Sequence, residues 1–260
     1  MDQLLFRQIC DRIRNNEIRQ SGIGTLGEKT LHAILKSYFE PSESFHEIRV
    51  GNFVADIADE NGITEIQTRQ FNKLRKKLDY FLSITNVTVV YPVAAEKWIL
   101  WIDEQTGETT KRRKSPKQGR PFEILHELYK IKSYLCCPSL RFCIVMLKVE
   151  EFRLLNGWSS DKKKGSTRFD CIPTELVDEV RITDPKDYEK LIPENLNERF
   201  TSKDFKKMSG LSLSRSQTAL NVLYSVGAVK RVGRQGNLYF YERAQHPGQD
   251  VLDSPDCFGS

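Results

Sequence analysis

No apolar run in the 260 residues approaches the roughly 20 that a bilayer-spanning helix needs, so a membrane is not expected among the partners. The stretch from Met1 to Arg14 mixes charged and apolar residues where a secretory signal would carry an unbroken apolar core. The six cysteines, Cys10, Cys136, Cys137, Cys143, Cys171 and Cys257, form no CxxC pair, which argues against a structural zinc site. Adjacent Cys136 and Cys137 stand in an apolar stretch and read as buried thiols. The expected setting is intracellular and cytoplasmic, with reduced cysteines. There is no internal repeat. Hydrophobic residues are also on the scarce side at 39%, against 29% charged, so a core can form and the surface is heavily charged. The net charge of +5 is mildly basic and favours an anionic partner.

Against those absences the chain carries clear periodic signals. Leu4 to Ile18 has helical spacing, and Ser21-Gly22-Ile23-Gly24 breaks it. A second helix is expected from about Thr25 or Leu26 to Tyr38, with Leu31, Ile34 and Leu35 inward, ended by Pro41. Strands follow at His46–Val50, Phe53–Ala58 and Ile63–Thr68, with Asp59-Glu60-Asn61-Gly62 as the turn between the last two. Arg69–Leu82 reads as a helix with Phe71, Leu74, Leu78 and Phe81 on its apolar face. Val87–Val93 and Trp98–Ile102 read as two further strands, Phe122–Leu135 as a helix and Arg141–Val149 as a strand. Lys111–Arg120 and Ser159–Arg168 read as basic loops, and Phe169–Arg181 as connecting structure. A mixed sheet with packed helices follows from this order.

From Asp187 the pattern changes. Tyr188–Leu196 has helical character. Thr201-Ser202 caps a short helix ended by Gly210, and Ser212 or Ser214 caps a second running to about Val226. Val229–Val232 and Leu238–Tyr241 are short strands around a Gly-rich tip. Helix, turn, helix and hairpin over Phe200–Glu242 resemble the winged-helix fold. Ala219, Leu220, Leu223 and Val226 supply the inward face of the second helix, while Ser214, Arg215, Gln217 and Asn221 are expected to face out and meet base edges. Lys230, Arg231 and Arg234 on the hairpin suit backbone phosphates. A winged helix used for protein contact is the alternative.

The earlier segment carries a carboxylate constellation. Glu28 sits in the first turn or two of the second helix, Asp56 interrupts an apolar strand, and Glu65 and Gln67 share one face of the next strand, being two apart. Carboxylates at strand ends with a third from a preceding helix suit Mg²⁺ or Mn²⁺. Leu26–Val93 resembles the PD-(D/E)xK, restriction-endonuclease-like nuclease superfamily in its order of elements. The resemblance implies Glu28, Asp56 and Glu65 as catalytic and metal-binding carboxylates, with Gln67 where the pattern usually has lysine and Ala55 where it usually has proline. A neutral amide orients water but supplies no charge, so Arg69, Lys73 or Lys76 is expected to contribute it. His46 and His32 lie near enough in sequence to flank the site, with a surface role the plainer reading. Gly22-Ile23-Gly24-Thr25-Leu26-Gly27 imitates a dinucleotide fingerprint but follows no strand.

The expected organisation is a nuclease-like domain over residues 1–155, a connecting segment over 156–186, a winged helix over 187–243 and a disordered tail over 244–260. The expected fold class is α/β (α+β), a restriction-endonuclease-like mixed sheet flanked by helices and followed by a winged helix-turn-helix. The expected activity is Mg²⁺-dependent hydrolysis of DNA, RNA remaining open as substrate, with an endonuclease and a homodimer both compatible. The alternative is a catalytically impaired nuclease-fold protein that binds DNA as a regulator.

Overall fold

Apolar periodicity in this chain alternates between the two-residue repeat of strands and the 3–4-residue repeat of helices, and the architecture follows it. A computed structural model describes residues 1–21, 29–103, 106–155 and 167–244. In chain order the elements of the first half are α1 (Gln3–Ser21), α2 (Lys29–Phe39), β1 (His46–Val50), β2 (Phe53–Asp59), β3 (Gly62–Ile66), α3 (Arg75–Phe81), β4 (Val87–Ile102) and β5 (Arg113–Lys114). They are followed by α4 (Leu125–Leu128), β6 (Leu140–Leu154), β7 (Thr167–Ile182), β8 (Arg199–Thr201), α5 (Ser202–Ser209), α6 (Leu213–Ser225), β9 (Val229–Gln235) and β10 (Leu238–Arg243). The protein is mixed α/β: helices flank a seven-stranded mixed sheet of order β1-β2-β3-β4-β6-β7, on which β5 pairs with β4, and a second sheet has the order β8-β10-β9. Contacts divide the chain into two units, one from Met1–Asp59, Pro92–Arg120 and Val145–Glu179, the other from Glu60–Tyr91, Pro121–Ile144 and Val180 onward.

In the first unit, α2 buries Leu31, Ile34 and Leu35, the three residues its spacing nominates. Strands β1 and β2 form an antiparallel hairpin with Ile48 opposite Ala55 and Val50 opposite Phe53. Gly51, at φ 60°, makes the two-residue turn between them. Ala55 and Ile57 turn to the core, so Asp56, between them, stands half-buried on the other face. Glu47 takes a left-handed φ of 52° within β1, and its carboxylate accepts the Lys36 amine at 2.7 Å. That amine holds the Glu47 carboxyl below its usual range.

Two expectations need correction here. The strands expected at Val87–Val93 and Trp98–Ile102 are one continuous β4. The residues between them carry charges but no turn chemistry, and those charges are paired: Lys97 with Glu151 at 2.7 Å and Glu96 with Lys114 at 2.5 Å. Likewise Phe169–Arg181 is not connecting structure but most of strand β7. Its pattern is weak because β7 closes one margin of the sheet, where Pro173 and polar residues are tolerated. Those polar residues are tied by Thr30 to Asp170 at 3.0 Å, Lys148 to Glu175 at 2.9 Å and Tyr38 to Glu179 at 2.6 Å.

In the second unit, β3 pairs in parallel with β4, placing Glu65 opposite Val89. Gly62 opens β3 at φ 127°, and a Cβ there would meet the Asn86 carbonyl oxygen at 2.4 Å, so no larger residue fits that approach. Phe71, Leu74, Leu78 and Phe81 are all buried as expected. The expected helix is nonetheless divided, with a 3-10 turn over Phe71–Leu74 before α3 and Gln70 left-handed at φ 60° ahead of it. The expected helix at Phe122–Leu135 reduces to four α-helical residues between 3-10 turns, because Ile131 departs from helical geometry at φ −124°. Its apolar face survives: Ile124, Leu125, Leu128, Ile131 and Leu135 are buried.

The C-terminal elements start where their caps predict. Thr201 caps α5 in a reciprocal box with Asp204, Gly210 ends that helix at φ 71°, and the Ser212 hydroxyl accepts from Arg215 N–H to open α6. The expected helix at Tyr188–Leu196 is a 3-10 turn over Pro185–Leu191, capped by Asp184 with Asp187. The tail, Cys257, Glu28, the Gly22–Gly27 stretch and most of the second basic loop lie outside the described residues.

Candidate functional site

Glu65 is the most deeply buried of the nominated carboxylates that the structure describes, with 2% of its surface exposed. A lone charge so placed would be driven to neutrality or paired. It is paired: the Lys77 amine donates to Oε1 at 2.9 Å and to Oε2 at 2.8 Å. Lys77 reaches it because it lies three residues after Leu74 and four before Phe81 on α3, so helical geometry turns it toward the side those residues bury. Its head stays partly wet, the side chain being 27% exposed. The expected sources of charge, Arg69, Lys73 and Lys76, do not include Lys77. The signal for it is the spacing from Leu74 and Phe81.

Gln67 follows two residues after Glu65. Its backbone N–H donates to the Val90 carbonyl at 2.9 Å, which extends the β3–β4 ladder. Its side-chain amide donates to the Arg69 carbonyl. Asp56 belongs to the first unit, half-buried on β2, and Glu28 lies outside the described residues. Among the described residues no three His, Cys, Asp or Glu side chains form a metal-binding group. His46 is engaged elsewhere. Its Nε2 donates to the Glu40 carbonyl at 2.8 Å, satisfying a carbonyl just past the end of α2.

A second polar cluster, also in the second unit, was not anticipated. Glu127 is 7% exposed. It accepts the Phe71 N–H at 2.9 Å and the Lys130 amine at 2.6 Å. The first bond fixes the chain where it leaves left-handed Gln70 for the turn leading to Lys77. Burial, reinforced by Glu123 and Glu127, pushes the Tyr91 hydroxyl far above its usual range. Burial, reinforced by Arg215 and Lys130, lowers the His126 imidazole. Its Nδ1 is buried with no hydrogen-bond partner among the described residues. A glutamate inside a short apolar helix was the signal for this cluster.

On α6, Ala219, Leu220, Leu223 and Val226 are buried as expected, and Ser214, Arg215 and Gln217 are exposed. Asn221 does not face out as expected. It is half-buried, and its Oδ1 is shut from solvent with no partner among the described residues. Arg215 stands close enough to Tyr91 and His126 to act on both. On the hairpin, Lys230 pairs with Glu242 at 3.5 Å. Arg234 donates to the Gly236 carbonyl at 2.6 Å and the Asn237 side chain at 3.3 Å. Arg231 lies over Tyr224 and Tyr239, 4.2 and 4.4 Å from their ring centres. In the first unit the basic loop is partly neutralised, Arg112 pairing with Glu150 at 3.2 Å.

The profile of a domain of unknown function, DUF8091, matches residues 29–183, which is more than half of the chain. The protein belongs to the DUF8091 family. An uncharacterized protein of Treponema pallidum (strain Nichols) is similar over 148 residues at 33% identity, covering 56% of each chain. The chain thus spans little more than half the length of that curated relative. No solved structure matches the chain.

The DUF8091 match has a definite relation to the site. It contains Asp56, Glu65, Gln67, Lys77 and Glu127. It closes at Thr183, one residue beyond the end of β7. Arg215, Gln217, Lys230, Arg231 and Arg234 all lie past it, so the hairpin and its two helices are additional to the DUF8091 portion of this protein.

Of the cysteines, Cys10, Cys143 and Cys171 are buried and form no disulfide among the described residues. Cys136 and Cys137 are half-buried rather than buried. Burial raises the Cys10 thiol to about 11, against the pull of Arg14, which leaves it protonated near neutrality.

Proposed function

We propose that the protein is a metal-dependent nuclease acting on DNA, with a PD-(D/E)xK-like centre in the DUF8091 region and a winged helix over Phe200–Glu242 that delivers it to its substrate. The observation that carries this reading is Lys77 on Glu65. The pattern expects a lysine two residues after the second carboxylate, and Gln67 occupies that place. The amine of Lys77 brings a positive charge to the same carboxylate from the following helix. The hard oxygen donors of Glu65 suit Mg²⁺ or Mn²⁺, and the PD-(D/E)xK resemblance implies Asp56 and Glu28 as the further carboxylates. Such a cation, when bound, supplies Lewis acidity to the scissile phosphate. Glu65 would hold the cation, Lys77 would offset negative charge on the phosphate, and Gln67 would orient a water through its amide. Hairpin cations and the polar exposed face of α6 supply phosphate and base contacts.

The reading is tested by incubating the full chain with linear, circular and branched DNA in Mg²⁺, in Mn²⁺ and in EDTA. Cleavage that needs the metal and disappears in Asp56→Ala is expected. Cleavage that persists in Asp56→Ala and Glu65→Ala would place the chemistry elsewhere. A second reading, a DNA-binding protein without cleavage, draws on the same ion pair, because Lys77 already engages both oxygens of Glu65. Binding without cleavage under every metal condition would select it.

A further inference from the structure

Three hairpin cations look equivalent in sequence, yet their surroundings differ. The donors of Lys230 and Arg234 are engaged within the hairpin, on Glu242, the Gly236 carbonyl and Asn237. Arg231 is exposed, and among the described residues its interactions are with rings: Tyr224 at 4.2 Å, Tyr239 at 4.4 Å and Tyr241 at 6.0 Å. Ring contacts engage the face of a guanidinium and leave its rim of N–H donors open to a ligand. The rings come from two elements, Tyr224 from α6 and Tyr239 and Tyr241 from β10. The guanidinium therefore joins the helix to the hairpin, and contacts from both elements hold its position before any ligand arrives.

We propose that Arg231 reads guanine, its N–H edge donating to the paired acceptors N7 and O6 in the major groove of duplex DNA. This rests on the DNA-binding part of the reading above and not on cleavage. The chemistry favours a base over a phosphate. A phosphate accepts from many directions, so an arginine held by rings on two elements gains little there over a mobile one. Two coplanar acceptors on a base edge demand a planar fork that stays in place, and tyrosines from two elements hold this one. Tyr224 also joins Arg231 to α6, the helix whose exposed residues include Ser214 and Gln217.

The experiment uses the full chain in EDTA. Duplexes are selected from a randomised pool, and affinity is then measured on the selected duplex and on copies in which single guanines become 7-deazaguanine, which lacks the N7 acceptor. The wild type should lose about tenfold at one guanine, within the range of a single bidentate base contact. Arg231→Met, which keeps the stem and removes the donors, should bind both duplexes alike. Tyr224→Leu, an exposed change that spares the fold, should blunt the preference in the same direction. A wild type indifferent to 7-deazaguanine makes Arg231 a phosphate contact at most, and an Arg231→Met protein that keeps the preference assigns the guanine to another residue; either overturns the proposal alone. No complex with any duplex at low salt overturns the proposal together with the DNA reading, and points the guanidinium edge to a protein carboxylate.

Discussion

The Lys77 amine is within 2.9 Å of both oxygens of the Glu65 carboxylate, 12 residues away in sequence and one helix further along the chain. The pair ties β3 to α3 as well as carrying charge. Its parts are therefore expected to fail unequally. Losing Lys77 strands a buried anion, whereas losing both charges strands nothing.

Lys77→Met should accordingly lower stability by about 2–4 kcal/mol, the cost of an uncompensated buried carboxylate with some relief from the partly wet lysine position. The double variant Glu65→Gln with Lys77→Met should recover most of that loss. Urea midpoints of the two proteins at neutral pH check this. Equal destabilisation would mean that the pair contributes through packing alone.

In cleavage assays, Asp56→Ala and Glu65→Ala should abolish metal-dependent hydrolysis and leave DNA binding intact or tighter, since each removes a negative charge facing phosphate. Lys77→Ala should reduce the turnover rate by about two orders of magnitude, the usual size of one electrostatic contact at a reacting oxyanion. Gln67→Lys should retain activity or raise it. Single-turnover rates with the protein in excess separate these effects from binding.

Asn221→Leu tests the corrected orientation of α6. Its Oδ1 is buried without a partner among the described residues, so replacing the amide with an apolar side chain should leave stability unchanged or raise it by about 1 kcal/mol. DNA affinity should be unaffected. Gln217→Ala, on the exposed side, should weaken DNA binding instead. Thermal unfolding and a DNA titration on each variant give the two readouts, and an Asn221→Leu protein that loses DNA binding would restore that residue to the interface.

The acid limb of stability should involve Asp187. Burial alone would raise its carboxyl, but the Lys190 amine and the Thr183 N–H and hydroxyl outweigh it and bring the pKa from 3.8 to about 2. A depressed folded-state value stabilises the fold above the unfolded pKa, and the contribution disappears as pH falls from about 4 to about 2. Asp187→Asn should therefore lower the melting temperature at pH 7 and converge on the wild type near pH 2. A constant difference across that window would assign the effect to the capping geometry.

Much of this molecule was legible because residue type and spacing agreed. Phe71, Leu74, Leu78 and Phe81 announce one buried face, and Thr201, Gly210 and Ser212 announce helix ends. Lys77 and Glu127 were illegible for a common reason: a charged residue at an inward position reads as surface until its partner is known, and the partners Glu65 and Phe71 N–H lie on other elements. Asn221 failed in the opposite sense, as a polar residue assigned to the outside that the fold partly encloses. Strand β7 was hidden by Pro173 and its acidic residues, whose partners Thr30, Tyr38 and Lys148 are distant in sequence.

The margins of the large sheet carry a further meaning. An open strand edge is a template on which other chains can polymerise. At β1 the left-handed turn of Glu47 interrupts the regular row of donors and acceptors, and the Lys36 and Glu47 charges sit beside the break. At β7, Pro173 offers no N–H at its position. A copy approaching either rim meets a mismatched ladder, so edge-to-edge pairing into fibres is disfavoured at both ends.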